Sequence, residues 1–262
     1  MRRGGRHAFV YVFVGLLIFT SACNTDAKDE HLTTEEAIIA KTIKQAESVD
    51  SYIVEGGIRD EIIWEDGRSE YNLLLLSGSM IKSLERSHTQ ITEKYGFEET
   101  ESTITSGELY RSKRDIFVKS DEGWRKEKES DSYEFNETDY EAAILFLDRL
   151  ENIEEIKVKE DEDEYELSYF GPDASLYEIY EPVTSETADG ITFVETERPE
   201  VFLRIDKEDY TVLEFTTKFF YEDEAGSDSN SVLTVELRFD DINEIEDITI
   251  PTEVIKEAEQ NE

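Results

Sequence analysis

Between residues 233 and 240 the chain alternates strictly. Leu233, Val235, Leu237 and Phe239 point one way, and Thr234, Glu236, Arg238 and Asp240 point the other. Only an extended strand puts every second residue on one face, so this segment belongs to a sheet with one buried side and one wet side. The same period governs the start of the domain. Tyr52, Val54, Ile58, Ile62 and Trp64 share one face, Glu55, Arg59 and Glu61 share the other, and Asp60 interrupts the apolar row. Asp66-Gly67 is a hairpin turn signal, after which 71–76 returns as a run that is apolar on both faces.

Further strands are expected over 79–87, 90–94, 101–109 and 115–119, with a turn at 121–123 leading into Trp124-Arg125-Lys126. A second set is expected over 153–159, 165–170, 191–195, 201–205 and 210–221. Two helices interrupt them. Thr33 with Glu36 forms a capping box before Ile39, Ile43 and Ala46, predicting a helix to about residue 49. Thr138 with Glu141 repeats the box ahead of the stripe Tyr140, Ala143, Ile144, Leu147 and Leu150. In the tail, 245–255, Pro251 is expected to end an edge segment. Strands with one apolar and one charged face imply an α+β fold: an antiparallel sheet, wet outside and covered inside by helices. No crossover βαβ pattern or glycine-rich phosphate loop is present, so nothing points to a nucleotide.

The N-terminus carries a location signal. Arg2, Arg3 and Arg6 precede an apolar stretch, 8–19, of about 12 residues, too short to span a bilayer. Ser21 and Ala22 then lead into Cys23, the only cysteine. This resembles the lipobox of bacterial lipoproteins, with Thr20 where leucine is usual. It implies a signal peptide over 1–22, a diacylglyceryl-modified Cys23 with a polar tether over 23–32, and one domain over 33–262. The protein would then sit on the outer face of the cytoplasmic membrane. Two acyl chains, each contributing about 0.8 kcal/mol per buried methylene, hold far better than one. With no second cysteine to pair, disulfides are absent and stability rests on burial.

The chain has 65 Asp and Glu against 27 Lys and Arg, a formal net charge of −38. Such a field repels nucleic acid and anionic headgroups. The acids are spread along the whole chain, so they read as a solvated coat and not as one cation site. The densest run, 160–164, reads as a hairpin turn.

The order helix, strands, helix, strands resembles the lipoprotein-carrier superfamily, the LolA-like and LppX-like proteins, and in particular small lipoproteins of Gram-positive bacteria. The segments that carry the likeness are Val49-Asp50-Ser51-Tyr52, Gly107-Glu108-Leu109-Tyr110, Val118-Lys119-Ser120, Glu122-Gly123-Trp124-Arg125-Lys126, Phe239-Asp240-Asp241-Ile242-Asn243 and Ile250-Pro251-Thr252-Glu253-Val254. The resemblance implies a strongly curved antiparallel half-barrel with helices on its concave face and an apolar cavity between them that holds acyl chains. It carries over no catalytic residue. Candidate cavity-lining residues are Trp64, Leu75, Trp124, Ile144, Leu147, Leu233, Val235 and Leu237. The periplasmic carriers of that superfamily shuttle between membranes, whereas Cys23 would tether this chain to one.

Chemistry is sparsely represented. His31 lies in the tether and His88 in a weakly patterned strand, and neither has a neighbour at metal or triad spacing, so both read as exposed polar residues. The acidic stretch 223–230 lacks the spacing of an EF-hand loop. The expectation is therefore a protein without catalysis, metal or cofactor that binds an apolar ligand. The alternative is an adaptor for a cell-envelope protein, and a cell-wall hydrolase is the least favoured reading.

Overall fold

The computed structural model describes residues 34–64, 66–97, 100–120, 122–127, 139–150, 156–171, 176, 192–193, 199–222 and 229–261. The capping residues Thr33 and Thr138, His31, Cys23 with the signal sequence expected before it, and most of the 223–230 stretch lie outside them. In chain order the elements are α1 (Thr34–Ala46), β1 (Ser51–Trp64), β2 (Ser69–Ile81), β3 (Arg86–Phe97), β4 (Thr100–Ser112), β5 (Asp115–Ser120) and β6 (Gly123–Glu127). There follow α2 (Asp139–Leu150), β7 (Lys157–Glu160), β8 (Glu164–Phe170), β9 (Thr192–Phe193), β10 (Glu200–Asp206), β11 (Val212–Glu222), β12 (Ser229–Asp240) and α3 (Thr252–Gln260).

All the strands join one antiparallel sheet in the order β6-β5-β4-β3-β2-β1-β12-β11-β10-β8-β7, with β9 beside β11. Among the described residues the two outer strands do not pair, so the sheet is curled and open, with three helices against it. Hairpins explain most of the order, and the long return of β12 to pair with β1 joins the two halves. Gly56 permits that joint. A Cβ there would stand 2.0 Å from the carbonyl oxygen of Glu236 on β12, so no other residue allows the two strands to approach so closely.

Directly paired residues point to the same side of a sheet, which sorts every side chain. Val54 faces Phe239, Leu237 faces Phe215, Phe215 faces Leu203 and Leu203 faces Leu167, so all lie on one face. Leu76, Ile91, Leu109 and Val118 continue that face toward the other edge. We term it the inner face, because α1 and α2 pack there. Ile38 and Ile39 of α1 and Tyr140, Phe146, Leu147 and Leu150 of α2 form one buried cluster with these strands. Ring centroids lie 5.0 Å apart for Tyr140 and Phe239 and 5.1 Å for Phe146 and Phe215. The Tyr140 hydroxyl also accepts the Val212 N–H at 3.0 Å.

The structure corrects three expectations. The expected strand over 79–87 is two strands with a turn between them. Asp50 carboxylate oxygens accept the Ser83 N–H and hydroxyl at 2.8 and 2.7 Å, and Glu85 adopts a φ of 50°. Pro251 does not end an edge segment but opens α3, since its φ of −57° suits a helix start. Helices are also not confined to the inner face. Residues 117 and 124 register with outward-pointing residues of β4 and β5, and α3 packs on them through Val254 and Ala258.

Candidate ligand-binding face

The inner face has two zones. Under α1 and α2 the strand residues are almost wholly buried, among them Phe215 and Leu203 at 0% exposure. Beyond the helices the same face continues through Ile58, Ile62 and Trp64 on β1, Leu74 on β2, and Ile91 and Phe97 on β3, all half-buried. Trp64 and Phe97 meet edge to face at 6.4 Å, and the Arg68 guanidinium lies 5.6 Å from the Trp64 ring.

Polar groups are set among these apolar ones. The Tyr221 hydroxyl donates to Oδ1 of Asp60, bridging β11 and β1 across β12. The Tyr95 hydroxyl donates to Oε2 of Glu70 at 3.0 Å, and that carboxylate pushes the phenol above its ordinary pKa. Ser231, opposite both Ile62 and Tyr221, is buried. Deeper in, burial pushes the Tyr140 phenol up to about 12, against the opposing pull of the Val212 N–H and with a further push from Asp209.

The candidate lining residues do not all meet. Leu147, Leu233, Val235 and Leu237 are buried in the helix-covered cluster, and Ile144 packs against it half-buried. Trp64 lies in the open zone. Leu75 and Trp124 are corrections: both sit on the outer face, Leu75 opposite Gly57 and Trp124 under α3. A tract apolar on both faces, such as 71–76, does not reveal which of its residues turn inward; pairing with β1 decides it.

His88 is a further correction. It is half-buried, stacked on Tyr110 at 4.2 Å, with Nε2 2.9 Å from Oε1 of Glu108. Lys119 approaches the other Glu108 oxygen at 3.3 Å. Burial pushes the Glu108 carboxyl up, but the bonds to His88 and Lys119 outweigh it and hold its pKa below the ordinary carboxylate value. These partners face one another across strands, so spacing along the chain could not show them. Among the described residues no group of three or more His, Cys, Asp and Glu is arranged to hold a metal.

The polar pairs on the inner face were legible only as irregularities. Asp60 interrupts an apolar row, and Ser231 extends the row of Leu233, Val235, Leu237 and Phe239 with a hydroxyl. A separate cleft of about 540 Å³ lies at the end of the sheet between the β2–β3 and β4–β5 turns, lined by Glu85, Arg86, Ser112, Lys113, Arg114 and Asp115. Its charged walls do not suit an alkyl chain. No helix among the described residues is long and apolar enough to cross a membrane.

No curated protein matches the sequence. Among solved structures, the chain is similar to LprF from Mycobacterium bovis, with 10% identity over 83% of this chain and 96% of that one and a TM-score of 0.42. It is also similar to a DUF1329 family protein from Desulfovibrio piger, with 12% identity over 79% and 92% of the two chains and a TM-score of 0.21. A family profile matches residues 34–259, the whole span from the first described helix into the last, and the chain therefore belongs to the family of unknown function DUF6612.

Proposed function

We propose that this protein is a non-catalytic bacterial lipoprotein, anchored by diacylglycerol on Cys23 at the outer face of the cytoplasmic membrane, that binds an acyl chain or another apolar ligand against its inner sheet face. The fold is that of a LolA-like or LppX-like half-barrel in this reading. The observation that carries it is the open zone of the inner face. There Ile58, Ile62, Trp64, Leu74, Ile91 and Phe97 form a half-buried apolar strip that continues the core without being sealed by α1 or α2. Apolar surface of this kind gains about 25 cal/mol per Å² when a ligand removes it from water. A tether over 23–32, about 30 Å at full extension, confines any exchange to the membrane that holds the anchor.

Native mass spectrometry of protein purified under mild conditions, with extraction of bound lipid, tests the reading. A bound apolar molecule is expected, together with displacement of a fluorescent fatty acid from the delipidated protein and a change in Trp64 emission. An interior that takes up no apolar probe would remove this function. The adaptor alternative calls for one contiguous exposed apolar patch. Among the described residues, the large exposed apolar side chains Ile63, Leu84, Ile104, Leu145 and Phe170 lie instead on separate strands, turns and a helix, so we favour ligand binding.

A further inference from the structure

We infer that the open zone of the inner face selects an amphiphile with an amine head, an ammonium group on an apolar chain, and that Asp60, Tyr221 and Ser231 receive that head. The inference rests on the proposed apolar-ligand function and names the class of ligand.

Ser231 is the first observation. It is 1% exposed, and its Oγ has no hydrogen-bond partner among the described residues. A buried hydroxyl left unsatisfied is costly and uncommon, and one standing in an otherwise apolar row is not there for packing. A ligand that brings a donor would satisfy it.

Its neighbours supply the second observation. Ser231 lies directly opposite Ile62 on one side and Tyr221 on the other. Asp60 is two residues from Ile62 and so on the same face, and the Tyr221 hydroxyl already reaches it. Three oxygens therefore gather on one diagonal of β11, β12 and β1: a carboxylate, a phenol and an aliphatic hydroxyl. Each can accept a hydrogen bond, and an ammonium offers three donors and no acceptor.

Charge is the third. By register, the inner face of the strands β11, β12, β1, β2 and β3 carries Asp60, Glu70 and Glu93 and neither lysine nor arginine, whereas Arg59, Lys94 and Lys218 all point outward; Arg68, in the turn beside Trp64, is paired with Asp66 at 2.9 Å. A fatty-acid carboxylate would enter a negative field, and an ammonium would be attracted by it. Ile58, Ile62, Leu74 and Ile91 lie on the same face to receive the chain.

Calorimetric titration of the purified protein with dodecylamine, dodecanoate and dodecyl maltoside, each below its micellar concentration, tests the assignment. The three share one chain length and differ in the head. Dodecylamine is expected to bind about tenfold more tightly than dodecanoate, the gain of a charge-assisted hydrogen bond. Asp60→Asn should abolish that preference. Ser231→Ala should weaken dodecylamine alone, leave dodecyl maltoside unchanged, and not lower the melting temperature of the ligand-free protein, because it removes an unpaired group. Glu236→Gln, exposed on the outer face, should leave the preference intact and so separates the site from general attraction to an acidic protein. Equal binding of amine and carboxylate, or a preference that survives both Asp60→Asn and Ser231→Ala, overturns the head assignment and leaves apolar binding standing. If none of the three probes binds, the proposed function itself falls, and the inference with it.

Discussion

On the inner face, α1 and α2 meet the sheet through side chains withdrawn entirely from water: Ile39, Tyr140, Phe146, Leu147 and Leu150 are all at 0% exposure. On the outer face, α3 holds one corner with two buried residues, Val254 and Ala258, against Phe117 and Trp124. Half-buried Ile255 packs beside them, and two hydrogen bonds meet at Trp124. Glu257 Oε1 accepts the Trp124 N–H at 3.2 Å, and the Asn261 side-chain amide donates to the Trp124 carbonyl at 2.7 Å. Trp124 lies on β6, an edge strand whose outward backbone groups would otherwise be open to another chain. The first contact builds the fold, and the second finishes an edge.

That contrast can be broken by substitution. Phe146→Ala should cost about 3–5 kcal/mol, the range for emptying a fully packed aromatic site, read from urea unfolding. A loss below that of any α3 substitution would reverse the comparison. Tyr140→Phe should cost about 1–3 kcal/mol, because it leaves the buried Val212 N–H without its acceptor.

Tyr140 also gives the inner core a dependence on alkaline pH. Its folded pKa of about 12 lies above the ordinary 10, so the neutral phenol favours the folded state. That contribution is whole below pH 10 and is lost as pH rises from 10 through about 12. Unfolding measured across this window should show a fall that Tyr140→Phe makes shallower, and equal slopes in the two proteins would count against the burial argument.

The smallest effect belongs to the edge. Asn261→Ala or Glu257→Gln should each cost about 1 kcal/mol and mainly free α3, shifting Trp124 emission toward that of exposed indole before the main unfolding transition. A single transition, with Trp124 reporting at the same denaturant concentration as the core, would show that the corner is not separable.

Much of this was legible along the chain. The alternation over 233–240 matches the structure residue by residue: Leu233, Val235, Leu237 and Phe239 are buried, and Glu236, Arg238 and Asp240 are exposed. The stripe on α2 and the turn at 160–164 between β7 and β8 were also readable, because each depends on neighbours within a few residues. The third helix was less so. Val254 and Ala258 have helical spacing, but Pro251 before them is equally at home at a strand end. The candidate site was mostly hidden. Tyr221 and Asp60 are separated by 161 residues, and nothing local marks them as partners.

The sequence by itself determined which residues share a face, because a strand has a period of two and a helix a period of 3.6, and both are properties of the backbone. Linear order alone also carries the apolar run 8–19 ahead of Cys23, on which the proposed anchor rests. The tertiary structure decided which side of the sheet each face became. The pairing of β12 with β1 placed Leu75 outward, brought Ser231, Asp60 and Tyr221 onto one inward diagonal, and left α3 on the face opposite α1 and α2. Parity along a strand is fixed by covalent geometry; the neighbours across it are fixed only when distant strands compete to bury their apolar sides.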